Sequence, residues 1–222
     1  GKVHVIADFD NTLIKAFVNG KKQPSLIALL RDGNHLTPDY AKKAHALYDK
    51  FAPLEGDPKL TIEEKKEAMQ EWWVTHFELL IESGLNIHDI ERVIESDQAS
   101  LREGSDEFFN LLEKAGVPLI IISASGLGVD AISYFLKRVG QLRKNIHIIS
   151  NRYSWDKNGY ATDVEKPIIH SMNKDETVLK EFDFYDKIKD RKNVILLGDN
   201  PGDTQMVTGL DLVRLQIEVA EG

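Results

Sequence analysis

The sequence predicts an α/β fold: a Rossmann-like doubly wound parallel sheet with a helical domain inserted after its first strand. Three observations carry the prediction. Four short, near-continuous apolar runs rich in Val, Ile and Leu suit strands buried on both faces. Helix-period segments alternate with the later runs, as a doubly wound sheet requires. Between the first run and the others, residues 15–100 hold helical patterns and no strong strand run.

In chain order, the first strand is Val3-His4-Val5-Ile6-Ala7. The insertion follows, with helices expected over 38–51, 61–81 and 88–96. Thr61-Ile62-Glu63-Glu64 reads as a capping box, Thr61 being the N-cap and Glu64 the third helical residue. Met69, Trp72, Trp73, His76, Phe77 and Leu80 then recur at the 3.6-residue period. Back in the sheet domain, a helix over 105–115 stops at Gly116. The second strand run covers 117–122, and a helix over 130–139 stops at Gly140. The third run is Ile146-His147-Ile148-Ile149. A helix over 176–188 precedes the fourth run, Val194-Ile195-Leu196-Leu197, and Leu212-Val213-Arg214-Leu215 is a candidate fifth strand. The sheet domain is therefore 1–14 plus 101–222, and the helical domain 15–100.

Composition narrows the function. With 222 residues, 42% hydrophobic and 29% charged, the chain has ordinary globular usage. Its formal net charge of −8 argues against a basic face for a nucleic acid polymer or an anionic membrane. The absence of cysteine removes disulfides, thiol catalysis and Cys-ligated metal sites. No apolar run approaches the length of a membrane helix, and Gly1-Lys2-Val3-His4 leads directly into a strand without a visible secretory signal. The cytoplasm is the expected location and a monomer the expected state.

The chemistry-bearing residues collect at strand ends. The first strand ends in Asp8-Phe9-Asp10-Asn11-Thr12-Leu13 and the fourth in Gly198-Asp199-Asn200-Pro201-Gly202-Asp203. Carboxylates at the carboxyl ends of buried strands are costly unless compensated, and ligands of open α/β sheets bind there. Two such pairs converging on one hard cation would offer oxygen ligands suited to Mg²⁺. Ser123 ends the second strand, at a turn whose hydroxyl and N–H groups can cradle a phosphate. Lys174, in His170-Ser171-Met172-Asn173-Lys174, is a candidate point charge on a transferring phosphoryl group. Each piece alone is more often a turn, a cap or a solvated charge; their order along the chain points to phosphoryl chemistry.

Together these residues resemble the four motifs of the haloacid dehalogenase superfamily, and the insertion resembles its C1-type helical cap. More narrowly the chain is similar to the cytosolic pyrimidine 5′-nucleotidases, including the branch acting on 7-methylguanosine monophosphate. Supporting segments include Leu60-Thr61-Ile62-Glu63-Glu64-Lys65, Glu71-Trp72-Trp73, Glu95-Ser96-Asp97, Leu101-Arg102-Glu103-Gly104 and Leu196-Leu197-Gly198-Asp199. Two departures stand out: Ser125 occupies a position where the family usually has Gly, and family members continue some tens of residues beyond the fourth motif.

The resemblance implies a Mg²⁺-dependent 5′-nucleotidase acting on nucleoside 5′-monophosphates through an aspartyl-phosphate. Asp8 would be the nucleophile and Asp10 the general acid, then the base. Mg²⁺ would be held by Asp8, the Asp10 carbonyl, Asp199 and Asp203. Ser123, the Ala124 N–H and Lys174 would hold phosphoryl oxygens, and Thr12 would stabilise the loop. Glu55, Trp73 and His76 match base-recognition positions in the cap, although Trp73 and His76 also lie on an apolar stripe. An indole at Trp73 favours 7-methylguanosine monophosphate being accepted beside cytidine monophosphate. A phosphatase of the same superfamily acting on phosphoserine or a sugar phosphate is the alternative, and a non-catalytic phosphate-binding module the alternative of another class. Gly126-Leu127-Gly128-Val129-Asp130-Ala131 fits a dinucleotide fingerprint but lacks the acidic residue about twenty positions on.

Overall fold

A computed structural model describes residues 2–174, 184–207 and 215–217. The chain begins with β1 (Val3–Ala7), then a small hairpin of β2 (Phe17–Val18) and β3 (Lys21–Lys22). Four helices follow: α1 (Leu26–Asp32), α2 (Tyr40–Gly56), α3 (Ile62–Glu82) and α4 (Ile87–Glu95). Next come α5 (Ser105–Lys114), β4 (Leu119–Ile122), α6 (Gly128–Arg138) and β5 (Ile146–Ile149). A second hairpin, β6 (Tyr153–Trp155) with β7 (Ala161–Val164), precedes α7 (Tyr185–Ile188), β8 (Asn193–Leu197), a 3₁₀ segment (Pro201–Val207) and β9 (Leu215–Ile217).

The main sheet has the order β5-β4-β1-β8-β9, and each of its pairings is parallel. Side chains alternate between its faces, as the two-residue strand period requires. Val5, Ala7, Leu119 and Ile121 join one apolar cluster with Phe109, Leu112, Ile132, Phe135 and Leu136 from α5 and α6. Ile6, Ile120, Ile122 and Ile149 join another with Ile169, Ile188, Val194, Met206 and Val207. Burial on both faces accounts for the unbroken apolar runs. β9 extends the sheet beside β8, partly where a fifth strand was expected; residues 212–214 and most of the helix expected over 176–188 lie outside the described residues.

The insertion is stitched to the sheet domain where it leaves and rejoins. Ile14 and Leu101 form an antiparallel bridge, Lys15 N donates to the Ser100 carbonyl at 2.9 Å, and Arg102 N donates to the Leu13 carbonyl at 3.0 Å. The first apolar cluster runs without interruption from the sheet into the insertion, through Phe9, Leu13 and Ile14 to Leu26, Leu30, Tyr40, Phe77 and Leu80. The second hairpin supports the insertion from below: Ile87 N donates to the Gly159 carbonyl and Ala161 N to the Leu85 carbonyl, both at 2.9 Å. Phe77 meets Tyr153 edge-on at 5.7 Å.

Several sequence expectations hold closely, and four features go beyond them. The Thr61–Glu64 capping box is formed in both directions. α2 runs past Phe51 and through Pro53 to Gly56, so Glu55 rides on its last turn. The insertion is not wholly helical: Asn19 (φ 52°) and Gly20 (φ 72°) turn the β2–β3 hairpin, the left-handed pair that a tight two-residue turn needs. The short α1 and the β6–β7 hairpin were also unanticipated. No helix among the described residues is long and apolar enough to cross a membrane.

Candidate active site

The sheet order places β1 directly between β4 and β8, so the loops leaving these three strands meet at one end. Asp8 N donates to the Leu197 carbonyl at 3.0 Å, which continues the β1–β8 ladder one residue beyond β1 and buries the Asp8 side chain at the junction. The chain then turns through Asn11, at φ 59°. On the β8 side, Asp203 N donates to the Asn200 carbonyl at 2.9 Å and Asn200 N donates to Asp203 Oδ2 at 3.2 Å, folding Asp203 back over Gly198. A Cβ on Gly198 would lie 2.6 Å from Asp203 Oδ2, so only glycine fits there.

This folding gathers the acids. Oxygens of Asp8, Asp199 and Asp203 lie within 4.8 Å of one another. Lys174 Nζ donates to Asp8 Oδ1 at 2.6 Å and to Asp203 Oδ1 at 3.4 Å. Thr12 Oγ1 donates to Asp199 Oδ1 at 3.4 Å, tying the loop after β1 to the loop after β8. An all-carboxylate set of this compactness suits a hard, oxygen-seeking cation such as Mg²⁺. Asp10 carries a buried Oδ1 with no hydrogen-bond partner among the described residues, an arrangement that normally costs about 1–3 kcal/mol.

Burial sets the electrostatics. It pushes the Asp8 carboxyl up to about 7; the Lys174 ammonium opposes this, while Asp203 and Asp10 reinforce it. Burial likewise pushes Asp10 up to about 6, opposed by Lys174 and reinforced by Asp199. Burial alone would lower the Lys174 pKa, but Asp8 and Asp203 outweigh it and hold the ammonium well above its ordinary value. The result is a buried Lys174 ammonium near two carboxyls, Asp8 and Asp10, that resist ionisation.

At the end of β4, Ser123 is buried, and its Oγ accepts from Ser125 N at 3.2 Å. Ser125 Oγ in turn accepts from Leu127 N at 3.3 Å, so the residue at the family's usual glycine position closes a local turn. Gly128, at φ +68°, brings its backbone so close to Asn151 that a Cβ would sit 2.3 Å from the Asn151 carbonyl oxygen. The second glycine of the Gly126-Leu127-Gly128 stretch thus serves packing between α6 and the strand after it.

One cavity of about 940 Å³ is lined by Asp8, Asp10, Asp199, Asp203, Lys174, Ser123 and Ala124 from the sheet domain and by Glu55, Trp73 and His76 from the insertion. These ten residues, each given a catalytic, metal or substrate role above, border the same space. Their surroundings differ. Trp73 Nε1 donates to the Ala124 carbonyl at 2.9 Å, and His76 Nε2 pairs with the Tyr40 hydroxyl at 3.2 Å. Burial, with Arg31 adding, pushes His76 down to about 4, so it stays neutral at pH 7.

Sequence reasoning missed Arg102. Its Nε donates to the Thr12 carbonyl at 2.7 Å and its Nη2 to the Asn11 carbonyl at 2.5 Å, bracing the loop that carries Asp10. No spacing rule marks it; only the pairing of the two linkers brings it there.

Residues 11–220 match the family model for pyrimidine 5′-nucleotidases (UMPH-1). A Xenopus laevis 7-methylguanosine phosphate-specific 5′-nucleotidase A is 36% identical over 218 residues, which cover 98% of this chain and 74% of that protein. The Homo sapiens 7-methylguanosine phosphate-specific 5′-nucleotidase is 34% identical over 213 residues, covering 96% of this chain and 70% of that one. Among solved structures, cytosolic 5′-nucleotidase IIIB bound to cytidine superposes with a TM-score of 0.83 at 27% identity, covering 98% of this chain and 72% of that chain. A phospho-aspartyl intermediate analogue of phosphoserine phosphatase shares the fold, with a TM-score of 0.54 at 19% identity and coverage of 98% and 85%.

Proposed function

Because this chain belongs to the pyrimidine 5′-nucleotidase (UMPH-1) family and is a phosphoric monoester hydrolase of the 5′-nucleotidase type, we propose that it hydrolyses pyrimidine or 7-methylguanosine 5′-monophosphates through an aspartyl-phosphate on Asp8. The observation that carries this reading is the convergence of Asp8, Lys174, Asp199 and Asp203 from three separate loops on one point.

The substrate phosphate enters beside Lys174, with Ser123 and the Ala124 N–H as further donors. Lys174 offsets its charge where the acids would otherwise repel it. Asp8 attacks phosphorus in line while the bond to the 5′-oxygen breaks. Asp10, whose pKa stands at about 6, donates its proton to that leaving oxygen. It then accepts a proton from the water that attacks the phosphoenzyme and releases inorganic phosphate. Asp8, Asp199, Asp203 and the Asp10 carbonyl would hold Mg²⁺, whose charge would neutralise the acids and phosphoryl oxygens.

Residues 15–100 act as a substrate-selecting cap over a core of 1–14 and 101–222. The Glu55 carboxylate accepts from amino or ring N–H groups of the base, the Trp73 ring offers a stacking face, and His76 lines the same pocket. The indole and the names of the relatives favour 7-methylguanosine monophosphate beside cytidine monophosphate.

Phosphate release should be measured across a panel of nucleoside monophosphates, with and without Mg²⁺. Mg²⁺-dependent turnover of cytidine or 7-methylguanosine monophosphate, lost in Asp8→Asn, is the expected result. Faster release from phosphoserine or a sugar phosphate, or turnover that survives Asp8→Asn, would overturn the reading.

A further inference from the structure

The peptide joining Ala124 to Ser125 is held at both ends. Its carbonyl accepts from Trp73 Nε1 at 2.9 Å, across the junction between the insertion and the sheet domain. Its N–H donates to Ser123 Oγ at 3.2 Å. A peptide plane with both polar groups engaged in opposite directions cannot rotate without breaking both bonds. The bond from Ser125 N occupies a lone pair of Ser123 Oγ, which leaves the hydroxyl hydrogen free to be donated elsewhere.

Trp73 is itself anchored. Its ring meets Trp72 edge-on at 5.0 Å and tilts against His170 at 6.2 Å. His170 opens the loop that ends at Lys174, and Asn173 Oδ1 accepts from His170 N at 2.7 Å within it. One indole from the insertion therefore touches both loops that supply the phosphate donors.

We infer that Trp73 is a positioning residue: its indole N–H locks the 124–125 peptide and so aims the Ser123 hydroxyl and neighbouring N–H groups at the substrate phosphate. This role belongs to the edge of the ring and is separate from any stacking of a base on its face. It makes seating of the insertion a condition for a well-formed phosphate cradle. The inference rests on the phosphatase reading above, and its test is chosen to fail separately.

The test removes the N–H while keeping the ring. Trp73 is replaced by the isosteric 3-benzothienylalanine, and Trp73→Phe serves as a second variant. Two readouts carry no base: the affinity for inorganic phosphate with Mg²⁺ present, and turnover of p-nitrophenyl phosphate. Loss of one neutral hydrogen bond predicts about five-fold weaker phosphate binding and a comparable fall in kcat/KM in the isosteric variant. Restoration of both by tryptophan analogues that retain the N–H is expected as well. Unchanged phosphate affinity and turnover in the benzothienyl variant would overturn the inference, even if nucleotide KM rose or thermal stability fell. A wild-type protein that binds no phosphate would instead remove the functional reading on which it stands.

Discussion

Arg102 Nε donates to the carbonyl of Thr12 at 2.7 Å, and this single contact crosses from one linker of the insertion to the loop that carries Asp10. The second donation, to the Asn11 carbonyl, spans a residue held in the left-handed region, where a non-glycine backbone needs outside support. The guanidinium thus does for the loop after β1 what backbone pairing does for β1 itself.

Arg102→Met should therefore cost about 2 kcal/mol of stability, the usual worth of hydrogen bonds to a charged group. It should also lower kcat more than it raises KM, because the Asp10 loop loses its brace. Urea denaturation and steady-state kinetics on one substrate check both. A variant with wild-type kcat would separate the brace from catalysis.

Asp10→Asn should lower nucleotide turnover by about 10²- to 10⁴-fold, the usual range for a general acid–base. The effect should depend on the leaving group. A nucleoside alkoxide needs a proton, whereas p-nitrophenolate leaves readily without one. With p-nitrophenyl phosphate, rapid-mixing experiments should show a burst of p-nitrophenolate followed by slow hydrolysis of the phosphoenzyme. Equal losses in both phases for both substrates would place Asp10 outside proton transfer.

The carboxyl groups would make the stabilising effect of bound Mg²⁺ depend on pH. Asp8 stands near 7 when folded and Asp10 near 6, both raised by burial. A raised carboxyl pKa favours the metal-free fold at low pH, and that contribution is lost as pH rises through the folded value. His4, His76 and His170 are pushed down to about 4, mainly by burial, and act in the opposite sense below their ordinary value of 6.5. Those histidines weigh equally with and without Mg²⁺, so the difference isolates the acids. The rise in Tm on adding saturating Mg²⁺ should grow between pH 5 and pH 8, by roughly 5 °C for about 2 kcal/mol. A rise in Tm that stays flat or shrinks over that range would contradict Asp8 as a metal ligand.

Gly198→Ala tests the proposed Mg²⁺ site from behind. The added methyl would lie 2.6 Å from both Cβ and Oδ2 of Asp203, and the carboxylate would have to move. Because Asp203 also receives Lys174 and the Asn200 N–H, its displacement disturbs both contacts at once. Calorimetric titration should show Mg²⁺ affinity reduced by about 10- to 100-fold, the usual effect of misplacing a ligand or its support. Unaltered affinity would remove Asp203 from the ligand set.

The parallel sheet was legible because strands buried on both faces favour apolar residues, and Val117 to Ile122 or Val194 to Leu197 have little other use in a charged chain. The candidate site was legible for the converse reason: Asp8, Asp10 and Asp199 lie within three residues of the ends of such strands, where an acid is otherwise a liability. The β2–β3 hairpin escaped notice although Asn19-Gly20 is a strong turn signal, because strands of two residues have no measurable alternation. The β6–β7 hairpin is disguised by an irregular register at Ser154 and Trp155. What His76 and Arg102 do could not be read locally, since the Tyr40 hydroxyl is 36 residues from the former and the Thr12 carbonyl 90 from the latter. Trp73 was legible as an aromatic facing the cavity, but nothing in its spacing reveals a hydrogen bond to Ala124.

The bridge between Ile14 and Leu101 brings the two ends of a long excursion side by side. The tether alone would let a foreign helical module enter without altering strand order, but the shared apolar core means that any replacement must also cover Phe9, Leu13 and Ile14. It would also have to return an N–H to the Ala124 carbonyl, so no graft above the sheet leaves the loop after β4 untouched.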